Sequence, residues 1–260
     1  MRHRRPLLCS GILAAAVLTV GAVCMAQNHK EQENRQLNSV SDLMKAVTDT
    51  VPVWAKDVEE MTEEEKATRY TTLTDDDFRK VAGELGVEVA AIKAVVRIEA
   101  GAKMEGFWAP GVPVINFDQS MYNRSRATRS VKAPASEKIP SGIASAYGRK
   151  EWSQLVAARK RNLDKANMGT FWGMFQIGGF NYKVCGCASV QEFVDRMSYS
   201  ELEQLELFAQ FVKNGGLLDA LKNKNWAAFA RRYNGVSYAK RGYHTRMAAE
   251  YAKFKKQTNE

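Results

Sequence analysis

The stretch VVRIEAG, residues 95–101, places a carboxylate where a helix would bury an apolar side chain. Upstream, Thr74 suits an N-cap, Asp75 to Asp77 put acids in a first turn, and Gly86 suits a helix stop. A second helix is then predicted from about Glu88 to Ala100, with Ile92, Val95 and Val96 at i, i+3 and i+4. Glu99 stands at i+7 of that stripe, so its side chain falls on the buried face. It also stands in the last turn, where the helix dipole disfavours an anion. Desolvation and the dipole both raise its pKa and favour a neutral, proton-donating acid. A glutamate so placed is either an ion-pair partner or a general acid.

Outward from that helix, residues 73–256 read as one mostly helical domain. Helical periodicity marks Trp152, Leu155 and Val156, then Leu202, Leu205, Phe208, Phe211 and Val212, then Trp226, Phe229 and Tyr233. Thr245 to Lys256 reads as a last basic amphipathic helix. Between Asn123 and Lys150 the sequence is basic, holds Pro134, Pro140 and Gly142, and carries few large apolar residues, so it reads as a long loop. Residues 27–72 form an acidic, polar leader with a mildly amphipathic stretch at Val40–Val51 and a solvated helix near Glu59–Lys66. Composition leaves open whether this leader packs on the domain or serves as a spacer.

The first 26 residues have the layout of a secretory signal peptide: Arg2, Arg4 and Arg5, an apolar run from Leu7 to Val23, then small residues ending at Ala26. The expected location is therefore exported, in the periplasm or outside the cell. Membrane association follows only if Cys24 is lipidated or the leader is retained as an anchor. Cleavage leaves Cys185 and Cys187, whose single intervening residue disfavours a mutual disulfide. With only His29 and His244 beside them, a four-ligand zinc site is not expected, and no other metal or cofactor is. Charge is divided sharply. Lys30 to Asp77 carries 6 basic and 13 acidic residues, whereas Phe78 to Glu260 carries 29 and 16. A basic exported domain suits cell-wall polymer or an anionic surface rather than nucleic acid.

Two further segments bear on chemistry. GTFWGMFQIGGFNY, residues 169–182, sets four glycines among five aromatics and one glutamine. Glycines let backbone approach a ligand, exposed aromatic faces stack on sugar rings, and Gln176 both donates and accepts hydrogen bonds. Read alone, the same segment also suits an aromatic core patch. In RRYNGVSY, residues 231–238, a helix ends in a turn at Asn234-Gly235.

The order of these segments resembles the lysozyme-like superfamily, and more closely the N-acetylmuramidase domain family of phage endolysins and bacterial envelope proteins. The resemblance spans about Leu73 to Lys256. It includes Leu73-Thr74-Asp75-Asp76-Asp77-Phe78, then Ile98-Glu99-Ala100-Gly101 where the family commonly reads Val-Glu-Ser-Gly. Pro113-Val114-Ile115-Asn116-Phe117-Asp118 stands where the family commonly has Pro-Lys-Ile-Leu-Phe-Glu. Trp172-Gly173-Met174-Phe175-Gln176-Ile177 follows, preceded by Phe171 at a usual serine, and Trp226 to Arg231 with Tyr233-Asn234-Gly235 completes it. The resemblance implies a mainly α, lysozyme-like α+β fold with a small β and loop region beside a cleft. It implies peptidoglycan glycan strands as substrate, with Trp172, Phe175, Gln176, Tyr233 and Asn234 lining the cleft. Ala100 and Phe171 remove two hydroxyls from the family pattern, and Asp118 is one methylene shorter than the usual glutamate.

Cleaving the β-1,4 bond after N-acetylmuramic acid needs a proton on the leaving oxygen, which a raised-pKa Glu99 supplies; lysozyme is the type case of this logic. The second step needs a carboxylate. Asp118 is the first candidate, then Glu105, with Glu151 and Asp164 behind; alternatively Asp118 caps the segment after it or pairs with Arg124. Without a second carboxylate, the sugar's own acetamido group takes over and a lytic transglycosylase results. A non-catalytic peptidoglycan-binding domain is the remaining alternative.

Overall fold

A computed structural model describes residues 58–126 and 131–257. The signal-peptide reading, Cys9, Cys24 and the amphipathic stretch Val40–Val51 lie outside the described residues. Helix α1 (Glu63–Thr68) opens on a capping box between Thr62 and Glu65 and buries none of its own residues. Its flanks do pack. Met61 is buried, the Tyr70 amide donates to the Tyr199 carbonyl at 3.0 Å, and the Tyr70 ring meets Phe107 edge-on. The end of the acidic leader therefore rests on the domain that follows.

Helix α2 (Asp75–Leu85) begins at Thr74, whose hydroxyl accepts from the Asp77 amide while the Asp77 side chain caps the Thr74 amide. It stops at Gly86, left-handed at φ 62°, a conformation glycine adopts without a Cβ penalty. Helix α3 (Val89–Glu99) buries Ala90, Ala91, Ile92, Ala94, Val95 and Val96. A helix apolar on so many sides belongs in a core, and its neighbours in this one include α2 and the C-terminal helix.

The chain then forms a hairpin of β1 (Phe107–Ala109) and β2 (Val112–Pro113), continues into β3 (Ile115–Phe117), and enters α4 (Gln119–Arg124). After the long connection come α5 (Ala146–Arg159), α6 (Leu163–Met168), β4 (Thr170–Trp172) and β5 (Ile177–Gly178). Strands β3, β4 and β5 make a small antiparallel sheet in that order, with Ile115 opposite Trp172 and Phe117 opposite Thr170. Along β3 burial alternates as period two requires: Ile115 and Phe117 inward, Asn116 outward. Helices α7 (Val190–Met197), α8 (Glu201–Asn214), α9 (Leu218–Lys222), α10 (Trp226–Tyr233) and α11 (Tyr243–Gln257) complete the domain. The architecture is mainly helical with small antiparallel sheets, a lysozyme-like α+β arrangement. Among the described residues no helix is long and apolar enough to cross a membrane.

Two polar clamps hold this frame. Glu201, 4% exposed at the start of α8, accepts from the amides of Gly106 at 2.7 Å and Leu73 at 2.9 Å. Gln204, one turn on, accepts from the Met174 amide at 2.8 Å and donates to the carbonyls of Met197 and Gly106. Together they tie the loop after α3 to the turn between β4 and β5. Both residues interrupt the apolar stripe of α8, which reads in sequence as two polar residues and nothing more.

At the other end of α3, Glu88 gathers the Lys255 ammonium at 2.6 Å, the Lys224 ammonium at 3.0 Å and the Tyr251 hydroxyl at 3.0 Å. Lys255 first and then Lys224 hold its carboxyl at about 2, below its ordinary 4.5. A depressed carboxylate stabilises the fold above its unfolded pKa and loses that contribution as pH falls from about 4.5 through about 2. Glu88→Gln is therefore expected to lower the melting temperature at pH 7, with the deficit shrinking towards pH 2. A deficit that stays constant with pH would assign Glu88 a packing role instead.

Candidate active site

Glu99 ends α3 on the line of Ile92, Val95 and Val96, so burial of that stripe carries the carboxyl into the protein. Burial pushes its pKa from 4.5 to about 7, opposed by a hydrogen bond from Asn234 and the positive field of Arg246. The Asn234 amide nitrogen donates to Glu99 Oε1 at 2.8 Å. Asn234 is there because α10 ends at Tyr233 and the chain turns through Gly235. Its own Oδ1 is buried and has no hydrogen-bond partner among the described residues. An unsatisfied buried acceptor beside a carboxyl whose pKa is raised to about 7 makes this corner the candidate site.

Tyr233 supports this corner from behind. Its ring stacks on Phe229 at 5.2 Å and meets Phe211 edge-on, and its hydroxyl donates to the Phe175 carbonyl at 2.6 Å. That bond ties the helix end beside Glu99 to the turn 173–176. Within the turn, Gly173 sits at φ +68°, and a Cβ there would meet Gln204 at 2.6 Å, so the tight approach requires glycine.

Gln176 also adopts a left-handed backbone, at φ +48°, and is half-exposed. Its Nε2 donates to the Gly173 carbonyl at 2.8 Å. A non-glycine residue kept in this region costs about 1–2 kcal/mol, a cost that structure alone would remove by choosing glycine. For Gln176→Gly, relief of that strain offsets the lost hydrogen bond, about 1 kcal/mol. The melting temperature is expected to stay nearly unchanged while turnover on cell-wall material falls. Full activity with a large loss of stability would mark Gln176 as structural.

Trp172 and Phe175 are elsewhere. Both are 0% exposed, so neither face is available for stacking on a sugar. The Trp172 indole donates to the Asn167 carbonyl at 3.0 Å, and the Arg159 guanidinium lies over both Trp172 and Trp152. Phe175 stacks on Phe208 with centroids 4.2 Å apart. The core-patch reading of these two rings is the one that holds: alternation along β4 and the close turn after it drive them inward. Two aromatic pairs do reach the surface: Trp108 on β1 meets Tyr147 on α5 edge to face at 6.2 Å, with Tyr147 51% exposed, and Phe171 meets Phe180 edge to face at 6.0 Å, with Phe180 40% exposed. Trp108 and Tyr147 come from the hairpin and the edge of the basic loop, where no sequence periodicity signals them, whereas Phe171 and Phe180 belong to the 169–182 segment.

Asp118 follows β3 and caps α4. Its Oδ1 accepts from the Ser120 amide at 2.8 Å, the Ser120 hydroxyl at 2.6 Å and the Met121 amide at 3.0 Å. Burial alone would raise its pKa, but the Ser120 hydroxyl, the two amides and the field of Arg124 outweigh it and hold the carboxyl below its ordinary value. The pKa values of Asp118 and Glu99 are thus driven in opposite directions, Asp118 down and Glu99 up. Through the Asp118 amide, which donates to the Gly169 carbonyl, the residue is fixed at the far end of β4 from the turn 173–176, roughly 10 Å along the strand. Of the other carboxylates, Glu105 is exposed and 3.9 Å from Lys103, whereas Glu151 is buried and accepts from the Phe117 amide at 2.8 Å, holding β3 in place. Asp164 lies in the first turn of α6. Burial pushes both free thiols up, Cys187 to about 11, which leaves them protonated and poor as ligands or nucleophiles at neutral pH.

A mainly helical, lysozyme-like domain with a half-buried acid at a helix end and a small antiparallel sheet is the frame in which the comparisons with known proteins are read. The N-acetylmuramidase family profile matches residues 88–255, and the chain belongs to that family of peptidoglycan hydrolases. Among solved structures the chain is similar to the endolysin of Burkholderia phage AP3, with 36% identity and a TM-score of 0.58 over 73% of this chain and 72% of that one. No curated protein matches the chain.

Proposed function

We propose that the protein hydrolyses the β-1,4 bond between N-acetylmuramic acid and N-acetylglucosamine, with Glu99 as the general acid. The carrying observation is the carboxyl of Glu99, half-buried at the end of an apolar helix, raised to about 7 and hydrogen-bonded by Asn234. A carboxyl of that pKa is about half protonated at neutral pH, where an ordinary glutamate is ionised, and it gives its proton up readily to a leaving glycosidic oxygen. Asn234 keeps the acid aimed, and Gln176 and Tyr233 border the glycan at the turn they share. Asp118, kept ionised, activates water or stabilises the oxocarbenium ion. Only Oδ2 is left for that work, because Oδ1 serves the cap of α4. The same commitment of Oδ1 favours, as a second reading, the transglycosylase route in which the substrate's acetamido group attacks. The proposed setting is the cell wall outside the cytoplasm, where the basic domain meets an anionic polymer.

Mass spectrometry of the products from purified peptidoglycan tests this. Reducing muramic acid ends are expected; anhydro ends, lighter by one water, would establish the transglycosylase, and intact glycan with retained binding would establish a binding domain. Turnover is expected to fall as pH rises through about 7, where Glu99 loses its proton.

A further inference from the structure

The turn that supplies Asn234 also forms one wall of a separate groove. This groove, about 680 Å³, runs between α9 and the outer face of α10 and ends at Gly235, Val236 and Tyr238. Its floor is made of small apolar groups, among them Ala227 and Ala228, and Val236 at its rim is 88% exposed. Its charge is of one sign: Arg231 and Arg232 line it, and no carboxylate does among the described residues. The Arg232 guanidinium lies across Gly216, where an added Cβ would stand 3.2 Å from it, so the side chain is laid along the groove. The sequence from Arg231 to Arg246 holds Arg231, Arg232, Lys240, Arg241 and Arg246 and not one Asp or Glu. Neither Arg231 nor Arg232 makes an ion pair among the described residues.

We propose that this groove is the subsite for the stem peptide of the substrate, an acidic, alanine-bearing peptide attached to the muramic acid. The inference rests on the muramidase reading above. A peptide of about four residues reaches up to roughly 14 Å from its sugar, and the groove begins one residue from the amide that holds the catalytic carboxyl. Methyl groups suit the small apolar floor, and peptide carboxylates suit two guanidinium forks that have no carboxylate of their own. Because this part of the substrate does not react, its binding is felt in KM and barely in kcat.

The test compares two substrates: peptidoglycan with its stem peptides, and glycan strands stripped of them by an amidase. The double variant R231Q/R232Q is expected to raise KM about 10-fold on the first and to match the parent on the second, with an unchanged melting temperature. Charge reversal, R231E/R232E, is expected to deepen the KM effect on the peptide-bearing substrate alone. Equal losses on both substrates, or no loss on either, would overturn the subsite. Failure of the parent protein to cleave either substrate would overturn the muramidase reading instead. A direct arm titrates the whole protein with a free L-Ala-γ-D-Glu dipeptide by NMR. Shifts confined to the groove and absent in R231Q/R232Q support the proposal, and shifts elsewhere or none at all count against it.

Discussion

Replacing Glu99 by glutamine is expected to cut turnover on peptidoglycan by about 100-fold or more while making the protein more stable at alkaline pH. Glutamine keeps the shape and can still accept from Asn234, but it has no proton to deliver. The stability change follows from the same burial that shifts the acid. The folded-state pKa is raised from 4.5 to about 7, so the contribution of this group is fully present below pH 4.5 and is lost as pH rises through about 7. Above that pH the parent holds a buried, partly compensated anion whose cost is about 3 kcal/mol, and glutamine removes it. Melting temperatures of parent and Glu99→Gln should therefore nearly coincide at pH 4 and separate at pH 8 to 9, the variant higher. A well-folded variant with near-parent activity would end the general-acid assignment. Coincident melting curves at pH 9 would show that the carboxyl is not held in a dry site.

Asp118→Asn is the second large expectation. Asparagine is as good an N-cap as aspartate, so the three bonds made to Oδ1 survive and α4 should keep its stability. What disappears is the negative charge at the end of β3. Hydrolysis is expected to fall by about 100-fold or more, with the melting temperature nearly unchanged. Asp118→Ala adds the loss of the cap, about 1 kcal/mol, and separates the structural contribution from the chemical one. Unaltered activity in Asp118→Asn would leave Glu99 as the sole working carboxylate, and anhydro ends among the products would then be expected. The pair of experiments therefore reads out two carboxyls whose pKa values the fold drives in opposite directions.

The central helix is legible in the sequence itself. Its start and stop signals are local, and the period of Ile92, Val95, Val96 and Glu99 obliges the carboxyl to follow the apolar face inward whatever packs upon it. The same holds for the Thr74 cap and the Gly86 stop, which depend on backbone geometry within a few residues. The aromatic segment behaved differently. Trp172 and Phe175 have the composition of a sugar platform, but ring faces are exposed or hidden according to what covers them. Here α5, Arg159 and Phe208, all distant in sequence, cover them. Asp118 is an intermediate case: its carboxylate stands in the motif from Pro113 to Asp118, yet whether it caps, pairs or catalyses depends on what lies opposite. The partners that tune Glu99 come from beyond residue 230, and the Glu201 and Gln204 clamp reaches back to Leu73, Gly106 and Met174. Sequence periodicity reports which face of an element is apolar; burial of a charge, the pKa that follows and the partner that aims it arise only when separate elements are brought into contact.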